Sequence, residues 1–218
     1  MMALIRLYPK TDSERLWSSV LAELEGYRSR DVTPFYASQS DQDFVTVSLN
    51  AKDPNSLMDF TNQKISGMDD LADTHTIPLV KPLFLPLLKD MPTTMGRYTI
   101  ELKAHPKNYS GIYESLIEKR YGRDLVLAYI AYKFGEYDLF LSLLATNQEK
   151  VKDFADTLTK TKNVLETKTT AIKKTLLLAR DDWDRFRLML LYRPSWFKGE
   201  TESLYDINLS ITHYGAPF

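Results

Sequence analysis

Three histidines, His75, His105 and His213, are the first candidates for acid–base or metal chemistry. They fall in different elements, with no His-x₃-His or Glu-x-x-His spacing, so a metal site would have to be assembled from distant parts of the chain. His105 precedes Pro106 and reads as a turn. Cysteine is absent, which removes thiol catalysis, disulfides, thiolate zinc and iron–sulfur ligation. No G-x-G-x-x-G, Walker lysine loop, G-x-S-x-G or H-E-x-x-H occurs, and eight scattered glycines make no phosphate cradle. No catalytic residue, metal or cofactor is therefore assigned. Tyrosine is the unusual feature: Tyr98, Tyr109, Tyr113, Tyr121, Tyr129, Tyr132 and Tyr137 crowd the middle of the chain. Each brings an apolar ring and one hydroxyl, which suits the wall of a ligand pocket and suits strand packing equally.

The elements that would position these residues follow the order strand, helix, strand, strand, helix, strand. Residues 3–8 form an apolar strand. Thr11, Asp12 and Ser13 offer helix-capping oxygens, and Leu16, Trp17, Val20, Leu21 and Leu24 recur at helical spacing until Gly26. Residues 32–38 and 44–51 read as strands around a polar turn. Asp53-Pro54 opens a second helix with Leu57, Phe60, Lys64 and Met68 on its inner face. An extended stretch runs on from Ala72 toward the Pro-broken segment 82–88, which is too short and too interrupted to span a membrane.

The same order then recurs. Residues 98–104 are a strand, and Ile112, Tyr113, Leu116, Ile117 and Tyr121 mark a helix. Strands at 125–133 and 138–145 flank the turn Phe134-Gly135-Glu136-Tyr137. Val151, Phe154, Ala155 and Leu158 give a second helix, and 167–178 the last strand. Residues match at a near-constant offset: Ile5 and Leu7 with Ile100 and Leu102, and Asp43 with Asp138, 95 apart. Trp17, Val20, Leu21 and Gly26 match Tyr113, Leu116, Ile117 and Gly122, 96 apart. Asp59-Phe60 matches Asp153-Phe154 at 94, and Thr74 and Ile77 match Thr169 and Ile172 at 95.

A βαββαβ unit is the ferredoxin-like split motif. The fold class expected is α+β: two ferredoxin-like repeats, residues 1–90 and 96–180, with sheets packed face to face as an α+β barrel. The second repeat's inner strands are almost continuously apolar, as strands buried on both faces are. In the first repeat Val45, Val47 and Leu49 alternate with Thr46 and Ser48. Another protomer covering the open sheet face is the alternative packing. Residues 181–218 form a C-terminal extension, read as a β-hairpin because Phe186, Leu188 and Leu190 alternate with Arg185, Arg187 and Met189, and later Tyr205, Ile207, Leu209 and Ile211 with Asp206, Asn208 and Ser210.

Phe134-Gly135-Glu136-Tyr137-Asp138-Leu139, the helix that follows, and Val164-Leu165-Glu166-Thr167-Lys168-Thr169 resemble the effector-binding domain of the Lrp/AsnC transcriptional regulators. There a G-x-Y-D hairpin precedes the third strand and a V-x-x-T-x-T run opens the fourth. The resemblance covers residues 97–180 well and 2–87 weakly. It implies a domain that pairs sheet to sheet and binds amino acids or related effectors, with Gly135, Glu136, Tyr137, Asp138, Thr167 and Thr169 as ligand-binding residues. Two departures stand out. The chain opens on strand one with no helix-turn-helix before it, so no direct nucleic-acid contact is expected. Phe134 replaces the threonine that many members carry before the glycine.

The net charge of −1 and pI near 6.3 give no global field toward nucleic acid or anionic lipid. Locally, seven aspartates lie between Asp41 and Asp73, and eight Lys/Arg between Lys150 and Arg180. These are solvated faces or complementary surfaces. The function expected is a small-molecule effector-binding or assembly module of regulatory type, homo-oligomeric, cytoplasmic and off the membrane. The alternative is an α+β-barrel enzyme acting on haem, another tetrapyrrole or an aromatic substrate.

Overall fold

The computed structural model describes residues 1–27, 29–85 and 94–178. The C-terminal hairpin expected at 181–218 lies outside them. The chain is α+β, with eight strands and few helices among the described residues. The described residues group into two compact units: 1–80 with 172–178, and 81–85 with 94–171. Among them no helix is long and apolar enough to cross a membrane.

The first unit runs β1 (Met2–Pro9), α1 (Ser13–Leu24), β2 (Val32–Ser40), β3 (Val45–Ala51), α2 (Pro54–Phe60) and β4 (Leu71–Phe84, to Val80 in this unit). Its strand order is β4-β1-β3-β2, and residues 172–177 of β8 (Val164–Leu177) add to β2. Asp12 caps α1 by accepting from the Glu14 N–H at 2.9 Å. Leu16, Trp17, Val20 and Leu24 of α1 pack on Ala3, Ile5 and Leu7 of β1 and on Val45, Val47 and Leu49 of β3. The chain leaves α1 through Gly26 at φ 76°, where only glycine is unstrained.

α2 departs from the sequence expectation. Asp53 caps it through the Ser56 N–H, with Pro54 in the first turn as anticipated. It then widens into a π turn at Thr61–Ile65. The extra residue rotates the helix face, so Ile65 is buried in place of Lys64. Lys64 instead lays its ammonium 5.5 Å from the Tyr27 ring.

The second unit repeats the plan: β5 (Gly96–Ala104), α3 (Tyr109–Glu118), β6 (Leu125–Lys133), β7 (Leu139–Ala145), α4 (Gln148–Lys160) and the first part of β8, in strand order β8-β5-β7-β6-β4. Ile112, Tyr113 and Leu116 of α3 and Val151, Phe154, Ala155 and Leu158 of α4 cover Ile100, Leu102, Leu139, Leu141 and Leu143. α3 stops at Glu118, before Tyr121, whose hydroxyl turns back to the Leu116 carbonyl at 2.8 Å.

The backbone refines the repeat. The helix caps Asp53 and Asn147 stand 94 apart. Asp70 and Asn163, each with positive φ, accept the N–H of Lys10 and His105 and stand 93 apart. The last strands therefore correspond at 93, not 95, and Thr74 is the counterpart of Thr167. Ser40 N–H bonds Phe44 C=O, whereas Lys133 N–H bonds Asp138 C=O. The second hairpin turn is one residue longer, so Asp138 corresponds to Phe44 and not to Asp43.

Candidate functional site

The β6–β7 turn is where the largest number of singled-out residues meet. β6 ends at Lys133 and β7 begins at Leu139. Asp138 fixes the turn from below. Its backbone N–H donates to the Leu102 carbonyl at 2.9 Å, and its carboxylate accepts from the Ala104 N–H at 2.8 Å and the Tyr109 hydroxyl at 2.6 Å. The turn is thereby tied to the end of β5 and the start of α3. Donating to that carboxylate, with some burial, pushes Tyr109 up to about 12. Both oxygens of Asp138 are thus engaged within the fold.

Gly135 stands at φ 125°, which other residues adopt only with strain. A Cβ placed there would meet nothing within 4 Å, so the constraint is backbone geometry and the space beside it is open. Glu136 is exposed, while Tyr137 is buried with its hydroxyl donating to Glu166 at 2.8 Å. That bond, then burial, then the charges of Glu166, Glu136 and Glu101 push Tyr137 up to about 12. Of these carboxylates Glu166 is the one in hydrogen-bond contact with the hydroxyl.

Behind Tyr137 lies a pair that sequence reasoning did not single out. Lys133 donates to Glu101 with both side chains 3% or less exposed, and its ammonium sits 5.3 Å from the Tyr137 ring centre. Sequence offered little signal: Lys133 ends an apolar strand, but Glu101 stands among Arg97, Thr99 and Lys103 in β5, and only burial shows that the two are paired. Strand alternation puts Glu101 on the sheet face opposite Ile100 and Leu102, which pack under the helices.

The remaining candidates are spread along β8. Thr167 is half-buried, 3.2 Å from the Thr159 hydroxyl of α4, and stands next to Glu166. Thr169 is half-buried two residues further on. The structure thus gathers Gly135, Glu136, Tyr137 and Asp138 in one turn and joins β8 to it through Glu166. Phe134 and Leu165, beside these residues in sequence, are 65% and 58% exposed.

Other tyrosines are packing residues. Tyr113 stacks on Tyr132 at 4.7 Å and donates to the Lys81 carbonyl at 2.9 Å. Tyr129 lies between Phe84 at 4.8 Å and Phe140 at 6.1 Å. His75 and His105 are exposed, and His213 lies outside the described residues. Among the described residues no group of three or more His, Asp or Glu is placed to hold a metal ion.

No family model matches the chain, and no curated protein does. Solved structures do. The siroheme decarboxylase NirDL, solved with an iron-uroporphyrin III analogue, superposes with a TM-score of 0.57 at 10% identity, over 80% of this chain and 72% of that one. A chlorite dismutase mutant from Candidatus Nitrospira defluvii gives 0.51 at 10% identity, over 79% and 90%. A candidate monooxygenase from Fusobacterium nucleatum gives 0.51 at 13% identity, over 81% and 91%. Identities this low speak to architecture alone: the chain has a ferredoxin-like α+β fold, as these proteins do.

Proposed function

We propose that this chain is a small-molecule-binding module of regulatory type, homo-oligomeric and cytoplasmic, which takes an amino-acid-like effector at the β6–β7 turn and does not read DNA itself. The observation that carries this reading is the Tyr137 hydroxyl held on the exposed carboxylate of Glu166, with Glu136 exposed in the same turn, which Gly135 keeps open. An ammonium group is the natural complement of that arrangement, since charge-assisted bonds to carboxylates are about twice as strong as neutral ones. Phe134 and Leu165 offer apolar surface for the rest of the ligand. Thr167 and Thr169 extend the polar lining along β8. Asp138 serves by fixing the turn, its oxygens being occupied by Ala104 and Tyr109.

Calorimetry on the full chain with a panel of amino acids tests this. The expected result is saturable binding by at least one of them, weakened at least tenfold by Glu166→Gln and by Gly135→Val. No heat from any member of the panel overturns the reading.

A second reading, an enzyme acting on an aromatic substrate, draws on the row Phe84–Tyr129–Phe140, where a planar ring could stack. Both described histidines are exposed, so neither is the buried axial ligand that a haem iron would need. Added haemin should accordingly give no visible band that depends on His75 or His105. A band abolished by substituting His75 or His105 would turn the choice toward tetrapyrrole chemistry.

A further inference from the structure

The buried Glu101–Lys133 pair has a built-in control, because the chain contains the same fold twice. Ile5 and Ile100 occupy matching ladder positions opposite Val47 and Leu141, which makes Arg6 the counterpart of Glu101. Ser40 and Lys133 both close their hairpins as the last residue of the incoming strand, which makes Ser40 the counterpart of Lys133. The first unit therefore builds the same strands, hairpin and helix cover with an arginine and a serine where the second has an ion pair. The pair is not a requirement of the fold. Nor is it a cheap source of stability, because desolvating two charges offsets most of their attraction, and apolar replacements of both are often neutral.

We infer that Glu101 and Lys133 are positioning residues for the site at the β6–β7 turn. The Lys133 ammonium, fixed by Glu101, lies over the Tyr137 ring and sets where the Tyr137 hydroxyl meets Glu166. By neutralising Glu101 beside the Tyr137 ring, Lys133 sets how strongly the turn draws a cationic group. This rests on the effector-binding reading for its consequence and on the geometry for its mechanism.

The test is the double variant Glu101→Leu/Lys133→Met in the full chain, with Lys133→Arg alongside. Tyr137 is observed through its ¹³Cζ tyrosine resonance, assigned by its loss in Tyr137→Phe. The double variant should unfold at a denaturant midpoint near that of the parent, whereas either single variant should not. Its Tyr137 resonance should shift, and its affinity for the best-binding amino acid of the calorimetric panel should change at least tenfold. Lys133→Arg, which keeps the cation, should leave both the resonance and the affinity near those of the parent. An unmoved resonance overturns the inference whether or not any amino acid binds the parent protein. A shifted resonance with no binding by the parent upholds the positioning role and removes the effector reading instead. If the double variant fails to fold, the pair is structural and the inference falls.

Discussion

The two hairpins that join the inner strands of each unit solve one problem with different chemistry. In the first, Ser40 does the work locally: its hydroxyl accepts the N–H of Gln42 at 3.2 Å and of Phe44 at 3.1 Å, and the three-residue turn closes with Asp43 at φ 53°. The Phe44 ring packs at 5.9 Å from Tyr8 and carries the Arg6 guanidinium at 5.0 Å. In the second, the turn gains a residue and depends on distant groups: Asp138 reaches β5 and α3, Lys133 reaches β5, and Tyr137 reaches β8. Both place a cation over an aromatic ring. The first turn closes its backbone on its own serine, whereas the second is anchored by hydrogen bonds and an ion pair to three other elements.

The largest difference between the hairpins is expected at Lys133. Lys133→Met takes the ammonium away from the buried Glu101 carboxylate and should cost about 3–5 kcal/mol of unfolding free energy. Urea titration measures it, and a loss below about 1 kcal/mol would mean that Glu101 is adequately solvated without its partner. Asp138→Ala comes next, at about 2–3 kcal/mol, because two donors lose a charged acceptor. Asp43→Ala is its control: Asp43 meets Ser13 at 3.3 Å and Lys173 at 3.8 Å with its side chain 76% exposed, and its loss should cost about 1 kcal/mol or less. Equal costs at the two aspartates would erase the distinction drawn between the hairpins. Gly135→Ala should cost about 1–2 kcal/mol through backbone strain alone, since the space for a methyl group is free.

Much of this architecture can be read from residue order, because apolar spacing and caps act locally. Asp12, Asp53-Pro54 and the stripe Val151, Phe154, Ala155, Leu158 each predict an element that forms. The tandem repeat is legible for the same reason. Legibility stops where one residue is inserted or a contact is long-range. The π turn at Thr61–Ile65 hides Ile65 behind Lys64 in any fixed helical period, and the longer second turn misaligns Asp43 with Asp138. Glu101 and Lys133 are 32 residues apart, and no periodicity pairs them. The turn Gly135–Asp138 is visible as a motif, but Glu166, which anchors its tyrosine, is identified only when β8 is placed beside it.

The smallest effect expected is also the most specific to the second hairpin. Tyr109 and Tyr137 each donate to a carboxylate and are each pushed up to about 12. An unfolded tyrosine ionises near pH 10. Because the folded values are raised, the fold favours the protonated hydroxyls. Their contribution is fully present below pH 10 and is lost as the pH climbs from 10 through 12. Unfolding free energy should therefore decline across that interval, and Tyr109→Phe with Tyr137→Phe should flatten the decline while lowering stability at neutral pH. Tyrosinate absorbance should show two fewer late-ionising tyrosines in the double variant. An alkaline slope that survives both substitutions unchanged would place the sensitivity elsewhere in the chain, and the acidic surroundings of the second hairpin would no longer set it apart from the first.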